Sequence, residues 1–70
     1  MNKWVWHESI EFPAVGPVVV KTSLMNYHIA LYDYEHKCWL VKNGKRYVEE
    51  DKLICGSEKI VSWAYIGGEQ

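Results

Sequence analysis

The residues that could act as nucleophiles or metal ligands are two cysteines and three histidines. His36 and Cys38 are two positions apart, so on one strand their side chains would point to the same side. A catalytic cysteine needs a neighbouring histidine to lower its pKa or accept its proton. Structural zinc sites usually show paired spacings such as Cys-x₂-Cys, and the sequence has none. We therefore predict no metal site, and we expect Cys38 and Cys55 to be small buried apolar residues.

Carboxylates that could do acid–base chemistry are concentrated in the run Glu49-Glu50-Asp51. The simpler interpretation of this run is a solvated turn. The sequence has no hydrolase elbow, zinc-protease motif or phosphate-binding glycine loop. A chain of 70 residues also has little room to bury both a substrate and its own core. We therefore expect no catalytic residues, no enzyme activity and no cofactor.

Aromatic side chains are the chemically distinctive feature, with four Trp, five Tyr and one Phe. Trp4 and Trp6 are two positions apart, as are Tyr32 and Tyr34, so each pair would share one face of a strand. Tryptophan and tyrosine in excess of what a core can enclose are typical of interaction sites. We predict that Trp4, Trp6, Tyr32 and Tyr34 bind a partner protein. A homodimer formed through an edge strand would also bury such a surface.

A basic segment, Lys42-Asn43-Gly44-Lys45-Arg46, suggests an alternative function. Lys42, Lys45 and Arg46 could contact the phosphates of a nucleic acid or a nucleotide-like ligand whose bases stack on the aromatic rings. The same segment also fits an exposed turn kept soluble by its charge. Eight basic and nine acidic residues give a net charge of −1, which disfavours extended nucleic acid because phosphate binding needs many cations.

Apolar residues alternate with a period of two, which predicts strands. Val18–Thr22 and Tyr27–Tyr32 are expected to form a hairpin around the loop Ser23–Asn26. That loop length predicts three pairs on one face of the hairpin: Thr22 with Tyr27, Val20 with Ile29, and Val18 with Leu31.

A second hairpin is predicted where Cys38–Lys42 meets Lys45–Val48 across Asn43-Gly44. Asn-Gly favours a type I′ turn, which needs positive φ at both central positions. The register of this turn would place Trp39 beside Val48, Leu40 beside Tyr47 and Lys42 opposite Lys45.

The remaining segments complete a single domain, residues 1–70, with its core in about 4–66 and a tail at 67–70. Trp4–Trp6 is expected to be a short edge strand, 13–17 a connector and 59–66 the last strand. Residues 49–54 could be a loop or a helical turn. The predicted fold is all-β or β-rich α+β: one small antiparallel meander, strongly bent or partly closed into a barrel, with adjacent strands paired in order. Trp39 and Trp63 are expected in its core.

Composition indicates a folded protein, since 49% of the residues are hydrophobic and 24% are charged. No charged segment followed by an apolar one marks a secretion signal, and no apolar run approaches the roughly 20 residues that span a bilayer. We therefore expect a cytoplasmic protein with no membrane contact and with reduced thiols. A single Cys38–Cys55 bridge is the alternative.

The order of these segments resembles a known family. A tryptophan near the start precedes a proline connector and the strand ending Val20-Lys21-Thr22; then come Ile29-Ala30-Leu31-Tyr32-Asp33, Trp39 and the closing Ile60-Val61-Ser62-Trp63. This pattern is similar to the domain-of-unknown-function 551 family over roughly residues 4–66. The family comprises small proteins of phages and prophages, and the resemblance implies a phage or mobile-element accessory protein that binds a host component. It implies no functional residues.

Overall fold

The structure is a computed structural model that describes residues 4–14, 16–53 and 58–66. In these residues a single antiparallel sheet is accompanied by one short helix, so the β-rich fold that the alternation predicts is confirmed. The elements are β1 (His7–Glu8), β2 (Val18–Thr22), β3 (Tyr27–Asp33), β4 (Cys38–Asn43), β5 (Arg46–Glu49), α1 (Glu50–Leu53) and β6 (Ile60–Tyr65). Among the described residues, no helix has both the length and the apolar character needed to cross a membrane.

The strand order in the sheet is β1-β6-β2-β3-β4-β5. Strands β2 to β5 are neighbours in chain order, as a meander requires. The prediction that all adjacent strands pair in order is wrong for β6, which lies between β1 and β2 and pairs with both. The sheet does not close, so β1 and β5 are its edges.

The first hairpin is formed by β2 and β3, but its predicted register is wrong by one residue. Val18 lies opposite Ala30, Val20 opposite His28 and Lys21 opposite Tyr27. The loop is three residues long, because Thr22 N–H donates to the Asn26 carbonyl and Met25 takes a φ of 66°. A register shift of one position reverses the faces to which the side chains of β3 point. Tyr27, Ile29 and Leu31 therefore do not share a face with Val18 and Val20.

The second hairpin is formed by β4 and β5 around a turn that is one residue later than predicted. Asn43 lies opposite Arg46, so the central residues are Gly44 and Lys45. Gly44 has a φ of 68°, and a positive φ at the first central position is typical of a type II′ turn. Val41 consequently faces Val48 and Lys42 faces Tyr47, which corrects the predicted pairs. Moving the turn by one residue changes the register between β4 and β5 by two positions. Because side chains alternate with a period of two, every side chain keeps its predicted face.

Several smaller predictions have definite outcomes. Trp4–Trp6 is not a strand; pairing begins at His7 instead. His36 lies in the turn between β3 and β4, and residues 50–53 form the helical turn that the sequence left open. The predicted tail at 67–70 lies outside the described residues, and so does Cys55, on which the alternative of a Cys38–Cys55 bridge depends.

One face of the sheet, here called the inner face, carries the core. Because side chains alternate, Val18 and Val20 of β2, Ala30 of β3 and Val41 of β4 point to it, and all four are fully buried. The core cluster comprises Val18, Val20, Ala30, Trp39, Val41, Ile60 and Trp63. The expectation that Trp39 and Trp63 are core residues is confirmed, since they are 7% and 3% exposed.

The segment at residues 11–14, here called the strap, is fixed to the inner face by three side-chain hydrogen bonds. Trp63 Nε1–H donates to the Glu11 carbonyl at 2.8 Å, and Tyr34 Oη–H donates to the Pro13 carbonyl at 2.7 Å. The Ala14 backbone N–H donates to Tyr65 Oη at 3.2 Å. Pro13 is buried as a result. The strap therefore provides the second layer that a one-sheet core needs.

The opposite face, here called the outer face, is also apolar. Its central members Val19, Ile29, Leu31, Leu40 and Tyr47 are half-buried. Gly16 approaches this face so closely that a Cβ there would lie 2.5 Å from Leu31 Cδ2. An antiparallel sheet with one solvated face usually carries polar residues on it, so the apolar outer face is a departure from that pattern.

Candidate functional site

An apolar cleft of about 310 Å³ opens on the outer face near edge strand β1. Trp4, Trp6, Val19 and Tyr27 line it. The three aromatic residues are 49%, 40% and 56% exposed, respectively. Trp4 and Trp6 stack with ring centroids 6.3 Å apart and planes 24° apart, and the Tyr27 ring lies 5.9 Å from Trp6. The cleft is therefore walled by ring faces that remain accessible to a ligand.

Strand pairing explains how these side chains meet. His7 faces Trp63 on the inner face, so the alternation of side chains directs Trp6 to the outer face. Val19 also lies on the outer face, opposite Ala64 of β6. The methyl side chain of Ala64 is small, which leaves room for an indole from the sheet edge to reach over β6 toward β2 and β3. The cleft thus depends on a small residue at this position of β6.

Tyr32 and Tyr34 do not join this cleft, although the sequence groups them with Trp4 and Trp6. Tyr32 lies on the inner face, where it faces Trp39 and stacks on Phe12 at 4.1 Å. Tyr34 is exposed, but its hydroxyl is engaged by the strap. These rings therefore belong to the packing around the strap, on the opposite side of the sheet from the two tryptophans.

Val19 and Tyr27 are the cleft residues that sequence reasoning missed. The predicted register paired Tyr27 with Thr22 and placed it on the face of Val18 and Val20. The observed pairing with Lys21 places both residues on the outer face. The alternation of residues carries no signal for this placement, because it depends on the three-residue loop that the Thr22–Asn26 hydrogen bond closes, and that loop changes the register by one.

The basic residues of the second hairpin divide between the two faces. Lys42 lies opposite Tyr47 on the outer face, whereas Arg46 lies opposite Asn43 and points the other way. Lys45 is an exposed central residue of the turn. The predicted phosphate-binding trio therefore does not present a common surface, whereas Lys21 pairs directly with Tyr27 of the aromatic cleft.

A second pocket, of about 270 Å³, lies where β4 meets β5 and α1. Its lining comprises Lys37, Cys38, Trp39, Glu49, Glu50 and Asp51. Burial, reinforced by nearby carboxylates, raises the pKa of the Cys38 thiol, which disfavours the thiolate that a nucleophile requires. Burial also raises the pKa of Glu50, with a contribution from Asp51. These groups are shifted toward their neutral forms by desolvation and like charge.

Among the described residues, a cluster of potential metal ligands lies at the end of β3 and in the turn that follows it. Asp33, Glu35 and His36 place one ligand atom each within 4.8 Å of one another. His36 Nδ1 lies 2.7 Å from Asp33 Oδ2, and this hydrogen bond, helped by the backbone N–H groups of His36 and Glu35, lowers the pKa of the Asp33 carboxyl. The same two N–H groups contact Asp33 Oδ1 at 3.3 and 3.0 Å. Asp33 is thus used to cap the turn.

No protein-family model, no curated protein and no solved structure matches the chain. The resemblance to the domain-of-unknown-function 551 family therefore stays a prediction.

Proposed function

We propose that the chain is a small non-catalytic binding module that takes an apolar or aromatic side chain of a partner protein into the cleft of Trp4, Trp6, Val19 and Tyr27. The observation that carries this proposal is the exposure of three rings around one concave apolar volume. Rings that are rigid and large bury much area at low entropic cost, so they dominate protein-binding sites.

The proposed context is a phage or mobile-element accessory protein, following the family resemblance. Such a protein would bind a component of its host. The cleft is large enough for one anchoring side chain of the partner, and the backbone of the partner would then contact the rim of the cleft. Trp4 and Trp6 supply the anchor site because they directly precede edge strand β1 and are 49% and 40% exposed.

A capture experiment tests this function with three proteins. The wild type, a Trp4→Ala/Trp6→Ala double variant and an Ile10→Ala control are each used to isolate partners from a host lysate. Ile10 is 78% exposed and lies outside the cleft, so its change removes exposed apolar surface without touching the site. We expect one partner to be retained by the wild type and the control and lost by the double variant.

Direct titration of the purified partner then gives the magnitude. Loss of two anchoring tryptophans should weaken binding at least about 30-fold, since each anchor residue contributes more than about 1 kcal/mol. Trp4 and Trp6 are 49% and 40% exposed, so about half of each indole is buried and the double variant should unfold at a lower urea concentration than the wild type. The titration therefore uses variant protein whose circular dichroism spectrum matches that of the wild type. Retention of the same partners with equal affinity by the double variant would refute the assigned site.

A second candidate function is supported by Lys21 and Lys42, which share the outer face with the cleft. A nucleotide-like ligand or a single strand of nucleic acid could stack a base on the exposed rings and place phosphates near these cations. Titration of a short oligonucleotide at rising salt separates the two functions. If phosphates are bound, the logarithm of the affinity should fall linearly with the logarithm of the salt concentration, whereas the affinity of an apolar protein contact should hardly change.

A further inference from the structure

The tip of the β4–β5 hairpin carries a pair of residues with a chemistry of its own. Asn43 ends β4 and pairs with Arg46, and Gly44 and Lys45 form the turn between them. All four residues are exposed. The side chain of asparagine ends in a carboxamide, and the backbone nitrogen of the next residue lies close enough along the chain to attack its carbonyl carbon.

The backbone nitrogen of Gly44 is unobstructed. Asn43 and Arg46 form the last pair of the ladder, so the Gly44 N–H lies beyond the strand pairing, in the turn. Glycine has no Cβ to crowd its nitrogen, and the space where a Cβ would lie is open, with no atom of a more distant residue within 4 Å. The nitrogen is therefore accessible to the neighbouring carboxamide and to water.

Asn26, which closes the loop between β2 and β3, has the opposite environment. Its side-chain amide donates to Glu58 Oε2 at 2.8 Å, and its backbone N–H donates to Thr22 Oγ1 at 3.1 Å. The residue that follows it is Tyr27, whose side chain crowds the backbone nitrogen that would have to attack. The same chemical group is thus held in place in one hairpin and exposed at the tip of the other.

We propose that Asn43 is a site of spontaneous deamidation in the folded protein. The Gly44 nitrogen loses its proton to a base in the solvent and attacks Cγ of Asn43, and the side-chain nitrogen leaves as ammonia, which closes a succinimide ring. Water then opens the ring at either of its carbonyl groups, giving aspartate or isoaspartate. One water is consumed and one ammonia is released, and nothing is oxidised or reduced.

The products change the hairpin in two ways. The new carboxylate lies in the same segment as Lys42, Lys45 and Arg46, so it offsets part of their positive charge. In the isoaspartate form the main chain also runs through Cβ, which adds a backbone atom to a turn whose length sets the register of β4 against β5. Isoaspartate should therefore weaken the pairing of these strands, whereas aspartate should not.

Incubation of the purified protein at mildly alkaline pH, followed by peptide mapping in a mass spectrometer, provides the test. We expect the mass increase of an amide-to-acid exchange at Asn43 to appear at least about tenfold faster than at Asn26, whose hydrogen bond to a carboxylate must break first. Asn43→Gln is the matched control. It keeps the carboxamide but would have to close a larger ring, so the mass of its hairpin peptide should not change.

The same incubation in urea tests whether the folded hairpin reacts. An exposed tip opens locally at little cost, so the folded protein should react within about a hundredfold of its rate in urea. A reaction that waits for global unfolding would be slower than this in a domain of ordinary stability, and that result would overturn the inference. Equal rates at Asn43 and Asn26 in the folded protein would also overturn it, as would a mass increase in Asn43→Gln.

Comparison of the products tests the effect on the hairpin. Asn43→Asp carries the new charge on a normal backbone and should unfold at nearly the urea concentration of the wild type. The isoaspartate form, separated by chromatography, should unfold at a lower concentration, and equal stability of the two would refute the predicted change of register.

This inference does not rest on the proposed function, because the aromatic cleft contains none of the residues at the hairpin tip. The Trp4→Ala/Trp6→Ala double variant should lose its partner while Asn43 reacts as it does in the wild type. The Asn43→Gln variant should keep the partner and lose the reaction.

Discussion

Replacement of Trp63 by Phe tests whether the strap is necessary for stability. The indole is 3% exposed, stacks on His7 at 4.4 Å and donates its N–H to the Glu11 carbonyl. Phenylalanine keeps a ring in the core but removes the donor and part of the area. The difference of roughly 50 Å² at about 25 cal/mol per Å² amounts to about 1.3 kcal/mol. The lost hydrogen bond adds about 1 kcal/mol.

Trp63→Phe should therefore lower the free energy of unfolding by about 2–3 kcal/mol. A domain of 70 residues has a total stability of about 3.5–10 kcal/mol, so this loss is a large fraction of it. Urea unfolding followed by circular dichroism measures the change. The midpoint of thermal unfolding should fall by roughly 10–20 °C.

Tyr34→Phe is the matched control, since it removes only the hydroxyl that donates to the Pro13 carbonyl. Its expected cost is about 0.5–1.5 kcal/mol. If the strap detaches as one unit, the Trp63→Phe/Tyr34→Phe double variant should lose less than the sum of the single losses. A Trp63→Phe loss under about 0.5 kcal/mol, or one no larger than that of Tyr34→Phe, would show that the strap does not hold the core together.

Three further predictions concern ionisable groups and a turn. The hydroxyl of Thr22 and the amide of Asn26 donate to the Glu58 carboxylate and lower its pKa. These hydrogen bonds stabilise the folded protein at a pH above 4.5, the ordinary pKa of the carboxyl, and the stabilisation is lost as pH falls through the lower pKa that Glu58 has in the folded protein. The difference in Tm between the wild type and Glu58→Gln should therefore shrink below about pH 4.5. Burial instead raises the pKa of Glu50. The protonated Glu50 carboxyl is therefore compatible with folding below pH 4.5, and stability is lost as pH rises through the raised pKa of Glu50 in the folded protein, where the buried group must become charged. Glu50→Gln should therefore raise the Tm at pH 7 and leave it unchanged in acid; a lower Tm at pH 7 would contradict the assigned cause. Gly44→Ala should cost about 1 kcal/mol in urea unfolding because alanine disfavours the φ of 68°, and an unchanged midpoint would mean that the turn changes type.

The two hairpins show how much of the sheet could be predicted from alternation. Both were placed on the correct segments, yet their registers differ from the predictions by one and by two positions. The shift of two at the Asn43–Arg46 turn left every face unchanged. The shift of one at the Thr22–Asn26 turn reversed the faces of β3, because a side-chain period of two makes odd shifts consequential. Loop length was the missing information, and it depends on the φ of Met25.

The strap and the position of β6 leave no periodic signal in the sequence. The strap is irregular backbone held by Trp63, Tyr34 and Tyr65, all distant in the chain. Such contacts depend on the assembled sheet, so no local pattern can reveal them. The site also depends on the assembled sheet. The surplus of aromatic residues points to Trp4 and Trp6, but Tyr32 is separated from them because it pairs with Trp39 on the inner face, whereas Trp6 lies on the outer face.

The insertion of β6 between β1 and β2 has a consequence for the kinetics of folding. Strands β2 to β5 pair with their neighbours in the chain, and such hairpins close in about 1–10 µs. Strand β6 must instead find β2 across an intervening segment of about 40 residues, and closing such a long loop is entropically costly. The meander should therefore form early and the docking of β6 should limit the rate. Until β6 arrives, the edge of β2 is unpaired, which makes the early species the one most prone to associate wrongly with other chains.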